Sequence, residues 1–186
     1  MTECPHSLLS TWRNAVERVT AELARQVQTE EAWMSPRLER IAAVQRQIHE
    51  LFSAAEGQEC CRGCGGLCCD RGKNHLSLVN LLGFLCSGQS PPEPDFTRPC
   101  PFLGEGGCRL DPGRRPFNCV TFICEEVEAR MAPADREAFY RLDADLRRLY
   151  GEFDGRYAGS SPRGLFIRLA RLGDAPLLAR DGREQG

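Results

Sequence analysis

Cysteine is the residue type in this chain with the most chemistry to offer. There are eleven, and ten of them (Cys60, Cys61, Cys64, Cys68, Cys69, Cys86, Cys100, Cys108, Cys119 and Cys124) fall between residues 60 and 124. The first block is Cys60-Cys61-Arg62-Gly63-Cys64-Gly65-Gly66-Leu67-Cys68-Cys69. Its glycines permit backbone conformations closed to other residues, so thiolates close in sequence can converge on one centre. In the second block, Cys100-Pro101-Phe102-Leu103-Gly104-Glu105-Gly106-Gly107-Cys108, the glycines predict a tight reversal that returns Cys108 toward Cys100. The third, Arg115-Pro116-Phe117-Asn118-Cys119 with Cys124 beyond it, sets its cysteines at the start of a predicted helix, where free amides and the helix dipole favour a thiolate.

Thiols at this density are either oxidised to disulfides or ligate metal. The start, Met1-Thr-Glu-Cys-Pro-His, has neither the basic residues nor the apolar run of an export signal, and the cysteine count is odd. A cytoplasmic location, and with it metal ligation, is therefore the expectation. The candidate ligands are Cys61, Cys64, Cys68, Cys69, Cys100, Cys108, Cys119 and Cys124. Eight thiolates can build two tetrahedral zinc sites, or one cubane iron–sulfur cluster with the remaining thiols as spectators or ligands of a second centre. Adjacent residues such as Cys68 and Cys69 project in different directions, which favours two centres or one centre with spare thiols. Structural zinc usually takes two close-spaced cysteine knuckles. Only Cys61 to Cys69 has that form, so the reading leans to iron–sulfur over zinc.

The ordered blocks resemble the YkgJ-type cysteine-cluster family, over about a third of the chain. The residues that carry the resemblance are Cys60/Cys61, Cys64, Cys68-Cys69, Cys100-Pro101-Phe102-Leu103, Gly107-Cys108 and Arg115-Pro116-Phe117-Asn118-Cys119. It implies a zinc- or iron-chelating domain. The flagellin lysine methylases are similar in carrying a related cluster, which gives an enzyme as the alternative. A third reading, thiol redox or metal delivery, rests on the vicinal pairs Cys60-Cys61 and Cys68-Cys69.

The elements that must position these thiols are predominantly helical. Leu8, Trp12, Val16, Val19, Leu23 and Val27 form one stripe of a helix running to about Gln28. Ser35-Pro36 reads as the start of a second, with Leu38, Ile41, Val44, Ile48, Leu51 and Ala55 on its apolar face. These two should pack as an antiparallel hairpin over residues 1–57. Leu76 to Leu85 is apolar nearly all round and predicts a short buried helix after an Asn74 or Ser77 cap. Pro116 should open a helix to about Met131, and Pro133 another, with Phe139, Leu142, Leu146, Leu149 and Phe153 inward and a loop from Gly155. Leu165 to Leu172 fits strand or helix alternation, and the last six residues read as frayed. The fold expected is mainly α: a helical hairpin plus further helices around a Cys/Gly-rich metal-binding middle at residues 58–131 and a helical end at 132–186, all one domain. In the middle, metal would replace part of the hydrophobic core.

Other features are weaker. Lys73 is the single lysine beside 23 arginines, and with His75 it follows Cys69 closely enough to face a metal. Arg115 has two options, cluster sulfurs or Asp111, while His6 and His49 read as surface residues and Glu125-Glu126 as solvated charge. Cys86, ending the apolar helix, reads as a small buried side chain. With 26 acidic and 24 basic residues and a pI near 6.0, nucleic acid is not an expected partner. Nor is a membrane, since the longest apolar run is half the ~20 residues a spanning helix needs. No phosphate-binding or nucleophile motif occurs.

Overall fold

The computed structural model describes residues 4–63, 72, 75–105, 107–157 and 164–180. They form a mainly helical protein with helices α1 (Pro5–Leu23), α2 (Gln28–Ala54), α3 (Gly57–Gly63), α4 (Leu78–Leu85), α5 (Phe117–Thr121), α6 (Glu125–Arg130), α7 (Pro133–Arg156) and α8 (Leu165–Leu172). Between α4 and α5 lie a two-stranded hairpin, β1 (Leu103–Gly104) with β2 (Gly107–Cys108), and a 3-10 turn at Pro112–Arg114. Among the described residues no helix is long and apolar enough to cross a membrane.

The apolar stripes predict the buried faces of α1 and α7, with Leu8, Trp12 and Val19 buried on α1 and Phe139, Leu146, Leu149 and Phe153 on α7. But α1 ends at Leu23 rather than Gln28, and Val27, expected on its stripe, is 62% exposed before α2. Pro133 takes the first position of α7, where its missing amide costs nothing. Leu165 to Leu172 resolves as a helix that starts by donating the Leu165 amide to the Leu76 carbonyl at 2.6 Å. Ser77 is the N-cap of α4, and the Asn80 side chain accepts from its amide at 3.1 Å and its hydroxyl at 2.8 Å.

Three expectations need correction. Pro36 starts no helix; α2 begins at Gln28 and runs through it. An interior proline costs about 3 kcal/mol, and burial of Met34, Leu38, Ile41, Val44 and Ile48 along the same helix outweighs that. The helix expected from Pro116 to Met131 is two, because Phe122 is extended (ψ 120°) and Cys124 caps α6. The β-branched run Val120, Thr121, Ile123 gives the intervening turn little helical preference. Finally, α1 and α2 do not form a self-contained hairpin: α2 packs chiefly along α7 and the 3-10 turn, and α1 leans on α4 and α8.

One hydrophobic cluster joins these elements, and described residues of the middle of the chain contribute to it. Leu78, Leu81 and Leu82 are inaccessible to solvent, and Phe102, Leu110, Phe117 and Val120 are buried. Phe102, beside Cys100, meets Trp12 of α1 edge-on with ring centroids 6.1 Å apart. The hairpin and α5 are thus anchored by apolar burial, and the expected substitution of metal for core does not extend to them.

Candidate metal centre

The second and third cysteine blocks are held by different devices. Cys100 precedes β1 in a turn where the Leu103 amide donates to the Cys100 carbonyl at 3.1 Å. Burial pushes the Cys100 thiol up, the nearby Cys108 adds to the effect, and the backbone amides of Phe102 and Leu103 and Arg109 oppose it. Arg109 secures the turn by donating to the Pro101 carbonyl at 2.8 Å and the Glu93 carbonyl at 3.0 Å.

Cys108 returns as the glycines predict. It stands opposite Leu103 and Gly107 opposite Gly104 in the antiparallel register, and Gly107 has φ +106°, a conformation that glycine adopts at little cost and other residues do not. Gly106 lies outside the described residues. In the third block, Cys119 is the third residue of α5, and its own amide donates to the Pro116 carbonyl at 2.9 Å. Cys124 caps α6, whose first turn carries Glu125, Glu126 and Glu128, so carboxylates offset the helix end there. Cys108, Cys119 and Cys124 are exposed.

The short stretch after the first block meets two of these sites. Gly72 lies so close to Cys100 that a Cβ there would stand 2.7 Å from its sulfur. Three residues on, His75 Nδ1 is 3.4 Å from Cys119 Sγ. The His75 amide donates to the Gly72 carbonyl at 3.1 Å, which closes a turn spanning less than about 7 Å between its Cα atoms. Cys100 and Cys119, distant in sequence, therefore sit at the two ends of one turn. Burial lowers the pKa of His75 and favours the neutral imidazole. Because the space at Gly72 is filled by Cys100, Gly72→Ala must displace that thiol. The expected cost is about 1–3 kcal/mol, measured by denaturant unfolding, together with weaker metal retention.

Cys60 faces elsewhere. It is buried on α3 against α6, where it hydrogen-bonds Glu126 and feels Arg130 and Cys124. Burial is the main cause of its raised thiol pKa, with Arg130 opposing. Cys61 is half-buried. The remaining predicted ligands, Cys64, Cys68 and Cys69, and also Lys73, lie outside the described residues. Among the described residues, no three His, Cys, Asp or Glu side chains are grouped to hold a metal ion. At Cys100 the Gly72 backbone takes the space beside the sulfur that a side chain would fill.

Two surrounding residues differ from expectation. Arg115 reaches neither a described cluster sulfur nor Asp111; its Nε donates to the Leu110 carbonyl at 3.3 Å and its Nη1 lies 3.3 Å from His49 Nδ1. Asp111 instead accepts from the Gly113 amide and pairs with Arg46. His49, far from being a simple surface residue, is half-buried and stacks on Phe52 with centroids 6.1 Å apart. Burial and Arg115 both lower its pKa, which favours the neutral imidazole. Nothing in its sequence neighbourhood signals this, because Arg115 lies 66 positions away. Cys86 is half-buried at the end of α4 with its thiol pushed up by burial, and Cys4 is exposed. Comparison with protein-family models, curated proteins and solved structures finds no match to this chain.

Proposed function

We propose that this chain is a metal-binding protein with a Cys-ligated centre, iron–sulfur or zinc, assembled from Cys61, Cys64, Cys68, Cys69, Cys100, Cys108, Cys119 and Cys124 as the resemblance to the YkgJ-type family implies. The observation that carries the reading is the turn from Gly72 to His75, which begins three residues after Cys69 and touches Cys100 at one end and Cys119 at the other. The second and third blocks thus approach the same turn, and the first precedes it in sequence. A bound zinc would tie the blocks together, and an iron–sulfur cluster would add one-electron chemistry. His75 stands beside Cys119 to orient that ligand or join it.

A second reading, thiol redox or metal delivery, is favoured by the exposure of Cys108, Cys119 and Cys124. Protein made and purified without oxygen separates the possibilities by elemental analysis, acid-labile sulfide and the visible spectrum. We expect a brown sample with iron and sulfide. Zinc without sulfide selects the zinc form, and a reduced protein holding neither metal overturns the metal centre.

A further inference from the structure

Two buried amide side chains of the core converge on one backbone oxygen. Gln45 of α2, Asn80 of α4 and Tyr150 of α7 are all buried. Gln45 Nε2 and Asn80 Nδ2 donate to the Arg115 carbonyl at 2.6 and 3.0 Å. The same two nitrogens lie 3.5 and 3.2 Å from the Tyr150 hydroxyl, and the Tyr150 ring meets Phe117 edge-on at 5.3 Å. Two helices distant in sequence thereby donate to one acceptor, and the Tyr150 hydroxyl of a third accepts from the same two nitrogens.

That acceptor sits at a consequential point. Pro116 follows it, holding Arg115 extended (ψ 148°) and fixing its own φ, and α5 starts at the next residue. Cys119 is two residues further, with its amide already bonded to the Pro116 carbonyl. Few soft dihedrals remain between the clamped oxygen and the thiol. Gln45 is moreover an expensive choice for stability alone, because its Oε1 is buried without a partner. An apolar side chain of the same length would fill the space without that cost. What it would lose is the direction in which the Arg115 carbonyl is held.

We propose that Gln45 is a positioning residue for Cys119: by holding the Arg115 carbonyl with Asn80, it sets the angle at which α5 presents the thiol to the metal. This rests on the metal-centre reading above. Outer partners that orient a ligand typically account for 10–100-fold in metal affinity, and a buried polar group satisfied at one geometry selects that geometry.

The test uses the full chain, handled anaerobically and loaded with Zn²⁺ or, in parallel, Co²⁺. Gln45→Met keeps the volume and removes the donor. Leu146→Ala, at a fully buried position of α7, lowers stability without removing a donor to the Arg115 carbonyl. For Gln45→Met we expect zinc release to a chromophoric chelator to accelerate at least about tenfold and the cobalt absorption bands to shift, with the helical far-ultraviolet signal retained. Leu146→Ala should lower the thermal midpoint and leave release and bands as in the wild type. Wild-type release and bands in Gln45→Met, or equal changes in Leu146→Ala, would overturn the positioning role alone. A wild-type chain that takes up neither ion would overturn the metal centre and this role together.

Discussion

Serine at Cys100 or Cys119 is expected to reduce bound metal by more than about tenfold, since even the partners that merely orient a ligand account for about that much. The two thiols occupy opposite ends of the Gly72 to His75 turn. A hydroxyl at either place is shorter, harder and protonated at neutral pH, so it cannot replace a thiolate. The same substitution at Cys64 or Cys68 should act alike, because both belong to the first block. Cys4→Ser and Cys86→Ser provide the contrast: Cys4 is exposed before α1, and Cys86 is half-buried at the end of α4, both outside the three blocks. Metal per chain, measured after anaerobic purification with the helical signal monitored in parallel, checks this. Equal loss in both groups would defeat the assignment of the ligands.

Removing the Glu30 carboxylate should be the most destabilising change outside the cysteine blocks. Glu30 is 2% exposed in the first turn of α2, and Arg156 at the end of α7 donates to both its oxygens at 2.6 and 2.8 Å. Tyr157 and Arg180 also donate to it. Arg37 and Arg156 each place a guanidinium 4.3 Å from the Trp33 ring, which packs edge-on against Phe153. Glu30→Ala removes the buried carboxylate on which Arg156, Tyr157 and Arg180 converge, and the Arg156 side chain is itself only 12% exposed. The expected loss is about 3–5 kcal/mol, which for a chain of this size lowers the thermal midpoint by roughly 6–20 °C.

The same site governs acid stability. The hydrogen bond from Arg156 is the largest cause that holds Glu30 down, from 4.5 to about 2, against the opposing effect of burial. A carboxylate whose folded pKa is depressed binds more protons when unfolded. Its stabilisation is therefore complete above about pH 4.5 and is lost as the pH falls through about 2, amounting to about 3 kcal/mol over that window. Glu30→Gln should flatten the fall in stability between about pH 4.5 and pH 2. Urea unfolding at a series of pH values measures it, and an unchanged slope would show that Glu30 is not the titrating group.

Much of this architecture is written in local pattern. The three- and four-residue spacing of Leu8 to Leu23 and of Phe139 to Phe153 specifies which faces of α1 and α7 are apolar, and the apolar run at Leu78 to Leu85 specifies a helix covered on every side. The glycines between Cys100 and Cys108 determine the reversal, because Gly107 needs a positive φ. The cysteine blocks themselves, and the chemistry open to them, are likewise sequence facts.

Periodicity says that a face is apolar but not which other face covers it. The choice of α7 over α1 as the main partner of α2 thus belongs to the tertiary structure, and so does the continuation of α2 through Pro36, where packing on both sides outweighs one missing hydrogen bond. Glu30 carries no local sign of burial, since Arg156, Tyr157 and Arg180 lie 126, 127 and 150 positions away. The meeting of Gly72 with Cys100 and of His75 with Cys119, and the clamp of Gln45 and Asn80 on the Arg115 carbonyl, arise in the same way. Residue types and their spacing determine what these groups can do; only the packing of α2, α4 and α7 decides which of them meet, because the free energy of each contact depends on a partner that the local sequence does not contain.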